Sequence, residues 1–253
     1  MLESFKRLFS RAGGDRDLTL IAEWAQRREY GYKRARGEDG FVIDGLFEGR
    51  PWRIEWGPPQ RPYIEGHELR VRMELELPSE MQMLVLSRPL MDSLERQTFE
   101  EFTDNVQTQI GTKTPEEMRW LVMFPKVNLG GFKSLRLRFG AVASAPAAGL
   151  AWLEGPLATM LEHASHDLLR ADPPFVLMTL RGRAYLRMQL LAPDPKAVAG
   201  ALALFETGIA QALRTAEGRS EPPLGASAEW GSGRDSTQWQ SFQPSSITPP
   251  KDL

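Results

Sequence analysis

Hydrophobic and charged residues alternate most regularly between residues 68 and 77. The apolar positions are Leu69, Val71, Met73, Leu75 and Leu77, and the charged positions between them are Arg70, Arg72, Glu74 and Glu76. A period of two places one side of a strand against a core and the other in water, which is typical of antiparallel sheets. The pattern therefore predicts a half-buried strand, and a turn at residues 78–80 leads to a second strand over residues 81–87.

A strand-turn-strand pattern occurs twice, about 133 residues apart. The first copy covers residues 41–47 and 50–56, and the second covers residues 175–180 and 183–191. Each turn contains Gly followed by Arg, at Gly49 and at Gly182. Glycine readily adopts the positive φ that tight hairpin turns require. The sequence thus predicts two hairpins, and their likeness favours a chain with two similar halves.

Helical periodicity is clearest over residues 195–216. Its apolar stripe recurs every three or four residues, at Val198, Ala201, Leu202, Phe205, Ile209 and Leu213. Further helices are expected over residues 15–30, 89–103, 146–154 and 156–170. Another is expected to start at Thr114, where Glu117 stands three residues later as in a capping box. Alternation between Leu135 and Phe139 predicts one more strand, extending at most through Val142.

The predicted strands come in clusters joined by short turns rather than alternating singly with helices. This order favours an α+β fold, with antiparallel sheets built from hairpins and helices flanking them. Glycines 130 and 131 mark a boundary between the halves, so the expected organisation is an amphipathic segment (1–14), a first α+β half (15–129), a second half (130–217) and a tail (218–253). Of the 36 tail residues, 21 are Gly, Pro, Ser, Thr or Gln, a composition that predicts disorder.

Charge and composition limit the ligands, partners and cellular location that are expected for the protein. The formal net charge is −2 and there is no cysteine, so disulfides and thiolate ligands are excluded and nucleic acid is a disfavoured partner. No apolar run approaches the roughly 18 residues of a membrane span, and no secretory signal is evident, which predicts a cytoplasmic protein. Residues 1–11 place Leu2, Phe5, Leu8 and Phe9 on one helical face, which allows weak peripheral contact with a membrane.

Motifs for catalysis and metal binding are missing from the sequence. His163 and His166 stand three residues apart on a predicted helix, but the H-E-x-x-H spacing and a third ligand are absent, so no metal is expected. Adjacent glutamates at 100–101 and 116–117 are interpreted as solvated helix faces. Neither a nucleophile elbow nor a phosphate-binding glycine loop occurs. The sequence therefore assigns no catalytic residue and no cofactor.

Arginines on the predicted strands are the main candidates for binding an anionic ligand or a partner. The candidates are Arg50 and Arg53 in the first hairpin and Arg183 and Arg187 in the second, with Trp52 or Tyr185 available for stacking. The alternative is an ordinary polar sheet face on which Glu55, Glu74 and Glu76 neutralise the arginines. In the tail, Trp239 and Phe242 are candidate anchors that order on binding a partner.

These features favour a non-enzymatic, bacterial-type cytoplasmic interaction or adaptor protein with a protein partner. The alternative is an enzyme whose active site lies between the two halves and uses Glu, Arg and His groups. A pocket lined by converging polar groups would favour the enzyme, whereas a flat interaction surface would favour the adaptor.

Overall fold

The computed structural model describes residues 16–35, 40–104 and 114–220. These residues form seven helices: α1 (16–27), α2 (Arg88–Asp104), α3 (Glu116–Met123), α4 (Lys133–Arg138), α5 (Pro146–Leu153), α6 (Pro156–His166) and α7 (Pro195–Ser220). They also form eight strands: β1 (Gly31–Arg34), β2 (Phe41–Phe47), β3 (Arg50–Gly57), β4 (Glu68–Glu74), β5 (Met83–Ser87), β6 (Phe139–Ala143), β7 (Phe175–Leu180) and β8 (Arg183–Gln189).

All eight strands belong to one sheet, in the order β1-β2-β3-β4-β8-β7-β5-β6, and every neighbouring pair is antiparallel. This architecture confirms the predicted α+β class with an antiparallel sheet and flanking helices. Strands from both sides of Gly130 and Gly131 pair with each other, since β4 lies beside β8 and β5 lies beside β7. The division into halves at these glycines therefore runs through a continuous sheet.

One face of the sheet is covered by helices α1 and α4–α7 and carries the larger core. The alternation predicted for β4 is confirmed, because Leu69, Val71 and Met73 are all buried on this face. Trp52 and Trp152 are the largest fully buried side chains of this core, and each is at most 2% exposed. The indole N–H of Trp152 donates to the carbonyl of Gly208 at 2.8 Å, which ties α5 to α7.

The opposite face is apolar over only part of its width. Over β5, β6 and β7 it packs against helices α2 and α3 in a second core, which contains Leu84, Leu86, Leu90, Met91, Leu94, Met118, Trp120, Leu121, Val142, Val176 and Met178. Over β2, β3, β4 and β8 the same face carries mostly charged side chains. Helices therefore cover both faces of the sheet over β5, β6 and β7, but only one face over β2, β3, β4 and β8.

Both predicted hairpins are present, and both turn on two residues with positive φ. The first turn has φ of 50° at Glu48 and 77° at Gly49, and the second has 49° at Arg181 and 73° at Gly182. Two consecutive positive values define a type I′ turn, whose twist matches that of the strands it joins. The glycines that mark the hairpins in the sequence thus occupy positions that favour glycine.

The two turn glycines give a matched test of how closely each hairpin is packed. A Cβ at Gly49 meets nothing within 4 Å, whereas a Cβ at Gly182 lies 2.8 Å from the backbone oxygen of Leu75. We expect Gly49→Ala to cost about 1 kcal/mol for the strained φ alone, and Gly182→Ala to cost about 1–3 kcal/mol more. Urea denaturation of the two variants measures the difference, and equal losses would contradict the predicted clash.

Two local predictions are wrong, and the structure supplies the reasons. Residues 133–138 form helix α4, so the strand expected from Leu135 begins only at Phe139, as β6. Leu135 is buried but Leu137 is 72% exposed, so the two do not share a buried strand face. The expected capping box is absent, since α3 begins at Glu116 without a side-chain cap. Glu117 is instead fully buried and binds side chains elsewhere.

The predicted tail starts too early, because helix α7 extends to Ser220. The rest of that segment (221–253) and the N-terminal amphipathic segment (1–14) lie outside the described residues, as do Trp239 and Phe242.

Candidate partner-binding surface

A surface of charged side chains lies on the part of the sheet that α2 and α3 leave open. Strand register places its members on one side of neighbouring strands, where they face away from the large core. We call this surface the charged half-face, and it consists of Asp44 on β2, Arg53 and Glu55 on β3, Glu68, Arg70, Arg72 and Glu74 on β4, and Arg183, Tyr185 and Arg187 on β8.

Two ion pairs link neighbouring strands near the solvent-exposed side of this surface. Arg53 Nε donates to Asp44 Oδ1 at 2.7 Å, and Arg183 Nε donates to Glu74 Oε2 at 2.8 Å. Between 39% and 69% of these four side chains remains exposed. Pairs this exposed add little to stability, typically about 0.2–1 kcal/mol, so they do not account for the fold.

Glu55 lies in the middle of the charged half-face and pairs with two arginines of β4. Its two carboxylate oxygens face different arginines, with Arg70 Nε at 3.3 Å from Oε2 and Arg72 Nη2 at 3.6 Å from Oε1. Arg70 also donates to the carbonyl of Pro58 at 2.9 Å. The arginines are thereby held in set positions rather than left to sample water freely.

Glu68 is the buried centre of the network, with an exposed fraction of 0%. Its carboxylate accepts from Arg187 Nη1 at 2.6 Å, from Arg70 Nη1 at 3.3 Å and from the backbone N–H of Gln60 at 2.6 Å. A buried carboxylate is tolerated only when such donors replace its lost water. Glu68 therefore fixes two arginines and the start of the loop between β3 and β4.

Glu117 is the second fully buried carboxylate, and it lies on helix α3. Arg61 Nε donates to its Oε1 at 2.6 Å, and the hydroxyl of Tyr63 donates to the same oxygen. Burial, the negative charge of Glu117 and this hydrogen bond raise the pKa of Tyr63 well above its usual range, with Arg61 and Arg187 opposing them. The phenol stays protonated and acts as a donor. The interpretation of Glu117 as part of a solvated helix face is therefore wrong.

The loop between β3 and β4 (residues 58–67) connects the two buried carboxylates. Gln60 binds Glu68 on the sheet, while Arg61 and Tyr63 bind Glu117 on α3. The loop therefore links β4, at the edge of the charged half-face, to helix α3, which covers the adjacent part of the same sheet face.

The structure brings together three of the arginines that the sequence analysis selected. Arg53, Arg183 and Arg187 lie on the charged half-face. Arg50 has the strand parity of the core residues, stands at the hairpin end, and is 3.8 Å from Glu76. The three carboxylates expected to neutralise the arginines, Glu55, Glu74 and Glu76, each lie within 4 Å of an arginine. Glu68, which was not expected, also pairs with two arginines.

Of the two aromatic residues considered for stacking, only Tyr185 lies on the charged half-face. Trp52 is buried on the opposite side of the sheet, at 2% exposure, and is unable to stack on a ligand there.

Sequence reasoning missed Glu68, Glu117, Arg61 and Tyr63. A signal for Glu117 exists, because Trp120 and Leu121 follow three and four residues later and share its helical face. Both are buried, so the carboxylate enters the interior with them. For the loop residues Arg61 and Tyr63 no periodic signal exists.

The histidines lie apart from the charged network. The ring of His67 stacks on that of Trp56, with centroids 4.3 Å apart and an interplanar angle of 6°. His163 and His166 are exposed on α6. Within residues 16–35, 40–104 and 114–220, no group of three or more His, Asp or Glu side chains is placed to hold a metal ion. In the same ranges, no helix has the length and apolarity needed to cross a membrane.

Comparison with known proteins adds one distant structural similarity. No known protein family matches the chain, and no curated protein sequence matches it significantly. The fold is similar to the crystal structure of the mycobacterial trehalose monomycolate transport factor A, TtfA, with a TM-score of 0.46 and 7% sequence identity, over 78% of this chain and 94% of that chain. A likeness this distant carries no argument about binding or activity.

Proposed function

We propose that the protein is a non-enzymatic, bacterial-type cytoplasmic interaction protein and that the charged half-face binds a protein partner. The observation that carries the proposal is the unequal covering of one sheet face. Helices α2 and α3 pack over β5, β6 and β7, whereas side chains of the charged half-face beside them, such as Arg72 and Arg183, remain more than half exposed. A sheet face held open in this way offers a broad, firm surface for another molecule.

The composition of the charged half-face supports a protein partner over a nucleic acid. Five arginines alternate with four carboxylates around one tyrosine. Nucleic acids are bound by surfaces in which cations prevail, because the phosphate backbone repels carboxylates. Protein interfaces are enriched in Arg and Tyr and match charges of both signs across the contact.

The ion pairs of this surface leave capacity for further contacts. A guanidinium has five N–H donors, and a single contact to a carboxylate engages only part of them. Arg72 is 57% exposed and has Glu55 at 3.6 Å as its ion-pair partner. Arginines held in place by neighbouring carboxylates lose less side-chain entropy when a partner binds.

An apolar contact is available at the same surface. Leu46 has the strand parity of Asp44 and is 66% exposed, so it projects beside the charged side chains. Interfaces combine such apolar anchors with a polar surround.

The two buried carboxylates support a structural role rather than catalysis. Glu68 accepts hydrogen bonds from three donors and Glu117 from two residues, so neither is free to abstract a proton from a substrate. Two clefts lie elsewhere on the protein, one between the end of α1 and α7 and one beside Arg88 and residues 126–130, and neither carboxylate lines them.

A comparative capture experiment tests the proposal. The tagged protein, an Arg53→Ala/Arg72→Ala variant and an Arg170→Ala/Arg214→Ala control are each incubated with lysate of the source organism, and bound proteins are identified by mass spectrometry. Because Arg170 and Arg214 are exposed away from the sheet face, we expect the control to retain a partner that the half-face variant loses. Melting temperatures should agree within a few degrees, since exposed pairs contribute only about 0.2–1 kcal/mol.

Two outcomes would contradict the proposal. One is a partner that all three proteins recover equally, which would place the binding surface elsewhere. The other is the absence of any specific partner for the unaltered protein at lysate concentrations.

A further inference from the structure

A cleft separate from the charged half-face lies where the end of α1 meets the first half of α7. Its volume is about 640 Å³, and its lining combines the rings of Trp24 and Tyr30, small residues of α7 around Gly200, and five charged side chains. Clefts of roughly 300–1,000 Å³ suit small organic ligands, which are held by apolar walls and a few polar groups.

The apolar wall of the cleft is built from aromatic rings packed edge to face. The rings of Trp24 and Tyr30 meet edge to face with centroids 5.7 Å apart, and Tyr30 packs in the same way on the buried Trp52 at 4.8 Å. Small residues of α7 form the facing side, where a Cβ added at Gly200 would have its nearest neighbour 3.9 Å away, at Leu168. The cleft thus has room for an apolar group between aromatic rings and a helix surface.

Three of the five charged side chains in the lining already have partners. Lys196 Nζ is 2.6 Å from Asp167 Oδ2. Asp194 Oδ1 accepts from the backbone N–H groups of Lys196 and Ala197, at 2.9 and 3.1 Å, and so caps the start of α7. These groups serve the local structure.

Glu206 and Arg28 are different, because in the described part of the chain neither side chain has a hydrogen bond or an ion pair within 4 Å. Glu206 is half-buried and Arg28 is exposed. Burial raises the pKa of Glu206 and the nearby charge of Arg28 lowers it, so the two groups interact electrostatically across the cleft without touching. Partial burial removes some of the water around the Glu206 carboxylate, and a hydrogen-bond donor on a ligand would replace that water.

We propose that this cleft binds a small zwitterion with an apolar body, the class that includes apolar amino acids. Its ammonium group pairs with Glu206, its carboxylate pairs with Arg28, and its apolar side chain packs against Trp24 and Tyr30. A ligand that is anionic overall faces Asp167, Asp194 and Glu206, and one that is cationic overall faces Arg28 and Lys196. A molecule carrying both charges satisfies the two unpaired groups together.

Calorimetric titration with three related probes tests the assignment. The probes are L-phenylalanine, phenethylamine, which lacks the carboxylate, and 3-phenylpropionate, which lacks the ammonium. We expect L-phenylalanine to bind at least about tenfold more tightly than either analogue, because each analogue leaves one charged group unpaired.

Variants of the full chain locate the site. Glu206→Gln and Arg28→Gln should each weaken L-phenylalanine binding about tenfold, and Glu217→Gln, an exposed change on the same helix, should leave it unchanged. Gly200→Leu fills the cleft and should abolish binding, while circular dichroism melting shows that the helix remains folded.

The proposal is overturned if L-phenylalanine gives no heat at millimolar concentration. It is also overturned if phenethylamine or 3-phenylpropionate binds as tightly as L-phenylalanine, or if Glu206→Gln leaves the affinity unchanged.

Discussion

Replacing Glu117 by alanine is expected to lower the free energy of unfolding by about 3–5 kcal/mol. The substitution removes the acceptor for Arg61 Nε and for the hydroxyl of Tyr63. The guanidinium of Arg61, only 23% exposed, is then left without its counter-ion. Breaking a buried pair from one side is more costly than the pair is worth, because the remaining charge stays desolvated.

The neighbouring glutamate provides the control for this prediction. Glu116 is 25% exposed and pairs with Arg119 one turn along the same helix. Glu116→Ala should therefore cost less than about 1 kcal/mol in urea denaturation. Adding Arg61→Met to Glu117→Met should recover part of the lost stability, because no charge then remains buried alone. If the Glu116 and Glu117 variants unfold at the same urea concentration, Glu117 is not a buried anchor.

Leu75→Arg is expected to cost about 4 kcal/mol or more, which is at the upper end for a single substitution. Leu75 is 6% exposed and packs in the large core. Its backbone N–H donates to the carbonyl of Gly182, so it also ties the end of β4 to the second hairpin. An arginine there puts a charge into apolar surroundings that offer no partner.

The adjacent residue separates the effect of charge from that of position. Glu76 is 94% exposed, and its carboxylate is 3.8 Å from Arg50. Glu76→Arg should change the stability by less than about 0.5 kcal/mol. Thermal melting of both variants measures the two losses of stability. Equal losses would mean that Leu75 does not face the core while Glu76 faces solvent.

Local features of the fold were accessible from sequence because they depend on neighbouring residues. The alternation through Leu69, Val71 and Met73 specifies which side of β4 is buried, and Gly49 and Gly182 specify the two type I′ turns. The alternating residues before Phe139 were misread, since apolar residues at 135, 137 and 139 fit a strand with a period of two. Leu137 is in fact exposed, helix α4 ends at Arg138, and the strand begins at Phe139.

The candidate surface was less accessible, because it depends on strand order. Arg53 and Arg187 are 134 residues apart in sequence, and only the insertion of β4 between β3 and β8 brings their strands onto one surface. Glu68 and Glu117 were missed for a related reason. A glutamate is ordinarily exposed, and its burial becomes favourable only when donors from a distant loop reach it.

The pairing of β4 with β8 also shapes the order in which the protein assembles during synthesis. Residue 68 pairs with residue 189, so β4 acquires its second neighbour only after more than 100 further residues have been made. At typical translation rates this takes on the order of ten seconds. During that interval β4 has an unpaired edge that invites pairing with other chains. Arg70, Arg72 and Glu74 then act as gatekeepers, because charges on such a strand oppose intermolecular association. The side chains that line the finished surface thereby protect the nascent chain before that surface exists.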